Sequence, residues 1–224
     1  MSTLKVDQLE AATASTITVP SGQTLDISDA TLLTGSALGG AWIYLARQTL
    51  TADASDIQFR DGIAATNGTP DFGNDYAQIM FVLEHFTPAT DGGQGRVRIS
   101  TDTGSNYLDS GYFAVTSYVQ GDGTNVDETH LKGVDSYRLT TSIHNDGALG
   151  VNGNVNLFNT SDTTRKPFST WSLSTSSDGD NAVFYSGGAH HNSTNQNVDA
   201  VRIYFHIGNV LAASTIRMYG LKAS

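Results

Sequence analysis

The chain has 224 residues, no cysteine and a formal net charge of −10, with 22 Asp and Glu against 12 Lys and Arg. That balance argues against nucleic acid or an anionic membrane surface as partner, because affinity for either rests largely on Lys and Arg. Disulfide and thiol chemistry are excluded, and no apolar run is long enough for a transmembrane helix or the core of a signal peptide, so membrane insertion is not expected.

Ser, Thr, Gly, Asn and Asp fill most polar positions, and Glu occurs only at Glu10, Glu84 and Glu128. Asp and Asn favour turns where Glu favours helices, so many short strands and little helix are predicted. A chain of this length buries one sizeable core.

Residues 1–40 differ from the rest. Their apolar positions are sparse, Leu4, Val6, Leu9, Ile17, Val19, Leu25, Ile27, Leu32 and Leu33, and turn signals such as Pro20-Ser21-Gly22 interrupt them. No such piece buries its apolar side alone. Two readings stand: a three-chain stalk with Leu4, Val6, Leu9, Ile17, Val19, Leu25 and Ile27 along its axis, or an extended arm. Gly35 to Gly40 reads as the hinge.

Residues 41–224 read as an all-β, antiparallel sandwich of eight to ten strands. Trp42 to Leu50 opens it, and Ile57 to Phe59 follows. Tyr76 to Phe86, nearly apolar throughout, is predicted to be covered on both sides. Arg96 to Ser100 and Gly111 to Val119 flank a turn at Asp102 to Ser105. Residues 121 to 135 read as a polar loop. Strands are predicted at Tyr137 to Ile143, from Val151 to Phe158, at Ser169 to Ser174 and at Ala182 to Ala189. The end, Val198 to Lys222, shows period two in Val201, Ile203, Phe205 and Ile207 and again in Ile216 and Met218. Its connection, GNVLAAS, is too short for a crossover helix, so the two strands are predicted to pair as a closing hairpin.

Few motifs carry chemistry. Adjacent histidines His190 and His191 point to opposite faces if they lie on a strand, and with His206 they form the best metal candidate, a weak one. Two Asp-rich stretches, residues 122–128 and 178–181, offer oxygen ligands without EF-hand spacing, and Asp-Gly is ordinary turn chemistry. There is no Gly-x-Ser-x-Gly elbow and no phosphate-binding loop, so neither an enzyme nor a metal or other cofactor is expected. Sugar binding is the best specific activity. Aromatic rings stack on sugar faces while Asn and Asp bond hydroxyls, and Tyr107, Tyr112, Tyr118, Tyr185, His190, His191, Asn192, Asn195 and Asn197 supply both. The residues from Gly187 to Asn197 are read as a loop, and Tyr185 beside it with His190, His191, Asn192 and Asn195 within it are the first candidates.

Four phrases occur in order: a Trp-opened strand at 42, FTPATDGGQGRVRISTDTGSNYLDSGY, NVNLFNTSDTTRKPFSTW, and VDAVRIYFHIGNVLAASTIRMYGLK. Together they resemble a jelly-roll module of tailed-phage virion proteins, over roughly residues 42 to 222, and STLKVDQLEAATASTITVPSGQTLDIS resembles the leader of tail-fibre-like proteins from marine phages. The resemblance implies a jelly-roll β-sandwich, assembled in the host cytoplasm and carried on the virion surface, usually as a homotrimer. It implies a non-enzymatic tail fibre or spike that meets host-surface carbohydrate, its N-terminal arm joined to other virion proteins of tail or capsid. The alternative is a trimeric capsid decoration or cement protein that stabilises the shell.

Overall fold

The computed structural model describes residues 42–73, 76–121, 126–176, 181–192 and 197–222. The chain divides into two units, residues 1–38 and 39–224, and every element below belongs to the second. The predicted arm positions Leu4, Val6, Leu9, Ile17, Val19, Leu25 and Ile27 lie outside the described residues, as do Asn195 and most of both Asp-rich stretches.

The described residues form strands and no helix. In chain order they are β1 (Trp42–Thr49), β2 (Ile57–Arg60), β3 (Asn67–Gly68), β4 (Tyr76–Phe86), β5 (Gly95–Ser100), β6 (Tyr112–Gln120) and β7 (Val126–Val134). Then follow β8 (Tyr137–Arg138), β9 (Val151–Phe158), β10 (Phe168–Ser176), β11 (Ala182–His191), β12 (Ala200–Phe205) and β13 (Thr215–Lys222). A large sheet runs β3-β1-β13-β4-β9-β10-β11-β6-β7 and a small one β2-β12-β5-β8, with every named strand pair antiparallel.

Alternation decides which side chains enter the core. Ile79, Phe81 and Leu83 of β4, Val155 and Leu157 of β9, and Trp171 and Leu173 of β10 are buried from the large sheet. Ile57, Phe59, Val97, Ile99, Val201, Ile203 and Phe205 are buried from the small one. Aromatic pairs join the two layers. Phe59 meets Phe81 at 5.3 Å between ring centroids, Phe86 stacks on Phe205 at 4.3 Å, and Tyr112 meets Tyr137 edge-on at 4.8 Å. Each such pair adds roughly 0.5–1.5 kcal/mol to the burial of its rings.

The two C-terminal strands do not form a hairpin. β12 lies between β2 and β5 in the small sheet, whereas β13 lies between β1 and β4 in the large one. Residues 206–214 arch from one layer to the other. The Val210 amide donates to the Ala54 carbonyl at 2.7 Å, and the Ala54 amide returns a bond to Val210 at 3.0 Å. On the other side the Leu211 amide donates to Thr87 at 2.9 Å and the Ala89 amide to Asn209 at 2.8 Å. Gly208 holds φ +69°, and a Cβ there would sit 2.3 Å from Thr90 Oγ1, so the bend requires glycine.

Other expectations also change. Residues 126–134 of the predicted polar loop form β7, which pairs with β6 along its length. Its Asp127, Glu128, His130 and Lys132 hide the strand pattern, as charged residues do on edge strands. β4 is buried on one face only; Met80 and Val82 are half-buried on the other. The predicted strand at 137–143 shrinks to β8 plus a single bridge from Ile143 to Gly93.

Buried hydroxyls complete the joint between layers. Ile99 N–H, unmatched by the short β8, donates to Tyr112 Oη at 3.0 Å, and that hydroxyl donates to the Leu108 carbonyl at 3.1 Å. Burial pushes the Tyr112 phenol well above its ordinary pKa, so it stays a donor. Tyr112→Phe therefore leaves a buried amide without its acceptor. Urea unfolding should show a loss of about 1–3 kcal/mol with an unchanged m-value.

Candidate functional site

β11 settles the orientation of the candidate residues. The predicted strand from Ala182 to Ala189 runs on to His191 through the start of the region read as a loop, and its alternation sends Val183, Tyr185, Ala189 and His191 inward and Phe184 and His190 outward. Tyr185 is buried and shares a 2.8 Å hydrogen bond with Thr141 Oγ1. His191 is 1% exposed, edge-on to Tyr112 at 4.7 Å. Neither presents a face to a ligand. Asn192 is exposed, and its Oδ1 accepts from Lys166 Nζ at 2.6 Å. Of the other tyrosines, Tyr112 is fully buried, Tyr107 donates to Gln58 Oε1 at 3.2 Å, and Tyr118 leans on Tyr185 at 5.7 Å.

His190 is the candidate that faces outward into a built surface. Phe168 of β10 and Phe113 of β6 stand opposite it on the neighbouring strands. The imidazole stacks on Phe113 at 5.0 Å and 12° and leans on Phe168 at 5.5 Å. One step along the strands, Thr170, Gly188 and Val115 form the next row. Gly188 has no side chain to fill that row, and a Cβ there would have only Ser169 O within 4 Å, at 3.8 Å. The result is a shallow hollow of about 460 Å³, floored by Gly188 and walled by Phe113, Val115, Phe168, His190 and Lys132. Its neighbour Gly187 faces the core, where a Cβ would meet the Trp171 ring at 2.2 Å. The Gly187-Gly188 pair thus serves the core on one face and the hollow on the other.

Phe113, Phe168 and Gly188 escape the sequence reading because outward phenylalanines look like core. The signal lies in the alternation of β11: Phe184, Ser186, Gly188 and His190 share one face. That arrangement can bind a flat ring. It offers aromatic surface with polar groups at the margin.

Burial, then the charge of Lys166, holds the His190 imidazole below its usual pKa. Among the described residues no three His, Asp or Glu side chains gather as metal ligands. The third candidate histidine, His206, lies apart, its Nδ1 accepting the Gln94 amide at 2.9 Å.

The sequence matches no protein-family model, and neither the chain nor its structure finds a match among curated proteins or solved structures.

His191 makes stability depend on pH. Its Nε2 lies 2.7 Å from the Ser110 carbonyl, an acceptor, so that nitrogen carries the proton. Burial lowers its pKa more than this bond raises it, and the charge of His190 lowers it further. The unfolded chain takes up a proton below about pH 6.5 that the folded chain refuses, so stability is full above that pH and falls as pH drops through it. Tm should therefore fall between pH 7.5 and pH 5. His191→Gln should flatten that slope whatever its own Tm at pH 7.5.

Proposed function

We propose that this protein is a non-enzymatic structural component of a tailed-phage virion, a tail-fibre or spike module that meets host-surface glycan. In this reading the sandwich is a jelly roll, the working unit is a homotrimer, and residues 1–40 join it to other virion proteins. Support comes from the ordered phrases of the sequence and from the all-β architecture. The observation that carries the glycan assignment is the Phe113–His190–Phe168 stack beside the Gly188 floor. Phe168 is 47% exposed although its ring contributes nothing to the core. Exposed aromatic rings next to Thr170 and Lys132 suit the apolar face and the hydroxyls of a sugar.

Fluorescent protein applied to an array of bacterial surface glycans should label a restricted set of sugars. Phe168→Ala should weaken that labelling about tenfold, or ~1.4 kcal/mol, with Tm unchanged. Absence of labelling, or equal labelling by the variant, overturns the assignment.

One observation favours a second reading, a capsid decoration protein. The outer face of the large sheet carries a row Trp42, Leu221, Gln78, Phe158, Phe168, His190, Phe113, each opposite the next across paired strands. Seven strands at about 4.8 Å spacing make this roughly 29 Å long. A file of that length suits a subunit interface as well as a sugar chain. Gold-labelled antibody at tail ends supports the fibre; gold over the shell supports decoration.

A further inference from the structure

The outer face of the small sheet breaks a rule of sheet pairing. Arg202 of β12 stands directly opposite Arg98 of β5, and Arg96 of β5 directly opposite Arg138 of β8. Like charges placed opposite one another on antiparallel strands destabilise the pair. Four of the chain's eight arginines meet here, in a protein whose net charge is −10.

Two aspartates offset them in part. Asp135 accepts from Arg96 Nη1 at 3.0 Å and from Arg98 Nη2 at 2.5 Å. Arg202 Nε lies 2.7 Å from Asp56 Oδ2, though too poorly aligned to count as a hydrogen bond. Four arginines against two aspartates leave these six side chains with a net charge of +2. Arg138 has no carboxylate partner among the described residues; its Nε makes only a 3.4 Å contact to the Thr140 carbonyl. Arg96 Nε and Tyr204 Oη are buried without a hydrogen-bond partner. Tyr204 lies in the middle, its ring 4.6 Å from the Arg202 guanidinium carbon and 5.5 Å from that of Arg98. Stacking on this ring holds two guanidinium groups in place.

We infer that this face binds an acidic polysaccharide through carboxylate groups on its sugars. The inference rests on the glycan reading above and specifies its chemistry, at a surface separate from the Phe168 hollow. Arg96 and Arg98 are two residues apart on one strand, about 6.6 Å, and the facing arginines are about 4.8 Å across. Such a grid meets negative groups repeated along a sugar chain, and the guanidinium fork suits a carboxylate. A bound anion also relieves the repulsion that Arg96 and Arg138 exert on each other. Duplex nucleic acid fits less well. With one charge per about 1.7 Å it would extend past four arginines in a chain whose net charge is −10.

The test is affinity electrophoresis of the full chain in gels containing polygalacturonate, with dextran as the neutral control. Wild type should be retarded by polygalacturonate alone, and 0.5 M salt should abolish the effect. Arg138→Gln should weaken binding at least fivefold without lowering Tm, since it removes a like-charged pair rather than an ion pair. Equal retardation by dextran, no retardation, or an unchanged Arg138→Gln variant overturns the inference. So does self-association that Arg138→Gln abolishes without any polygalacturonate binding, which gives the face to a second copy. Phe168→Ala separates the two readings. Retardation that survives this variant gives the acidic polysaccharide to the arginine face and not to the hollow, and array binding without retardation removes this inference alone.

Discussion

Residues 206–214 are the constraint on which the two layers depend. Through them the chain leaves an interior position of the small sheet and enters an interior position of the large one. β12 and β13 each have a strand on both sides, so neither sheet is continuous without the C-terminus. The arch is held by backbone bonds to both flanking connections, to Leu50 and Ala54 on one side and to Thr87 and Ala89 on the other. Ser214 adds a buried hydroxyl that donates to His85 O and accepts from Thr87 N. A buried crossing whose peptide groups lacked these partners would cost roughly 1–3 kcal/mol for each one unmatched.

With the layers fixed, period two assigns strand residues to the core or to one of two outer faces, except where β1, β4, β6 and β13 shift register. The inner positions are filled by aliphatic side chains and by ring pairs that reach across, and buried Tyr and Thr hydroxyls answer backbone groups that the short β8 leaves open. The two outer faces then differ in chemistry. The large sheet presents rings and small polar side chains around a glycine floor. The small sheet presents arginines packed about one tyrosine. Both departures from an ordinary solvated face lie on the sandwich exterior, where function does not compete with core packing.

Much of this is legible in the residues themselves. Alternation in Val201–Phe205 and Ile216–Met218 and the apolar run of Tyr76–Phe86 identify strands, because the inward positions must be apolar, whereas Ile207 lies past the end of β12 and is exposed. It does not identify partners. GNVLAAS is as suitable for an arch as for a hairpin, and the choice is made by distant backbone, Ala54 and Thr87, that no local pattern reveals. β7 escapes because an edge strand needs little apolar surface, so Asp127, Glu128 and Lys132 read as loop. At the site, adjacent histidines on opposite faces follow from strand geometry, and the structure sends His191 inward and His190 outward. Tyr185 and His191 are buried rather than exposed, because polar side chains can also serve a core when a hydroxyl or carbonyl waits for them there.

The cysteine-free sequence permits a direct test of the arch. Thr49 and Thr215 face each other across β1 and β13, their hydroxyl oxygens 3.0 Å apart. Mild oxidation of a Thr49→Cys/Thr215→Cys variant should close a disulfide in the folded monomer nearly completely, and a Phe205→Cys/Thr215→Cys variant, which pairs the ends of β12 and β13 as a hairpin would, should stay reduced. Efficient closure of the second pair and not the first would contradict the crossing between sheets.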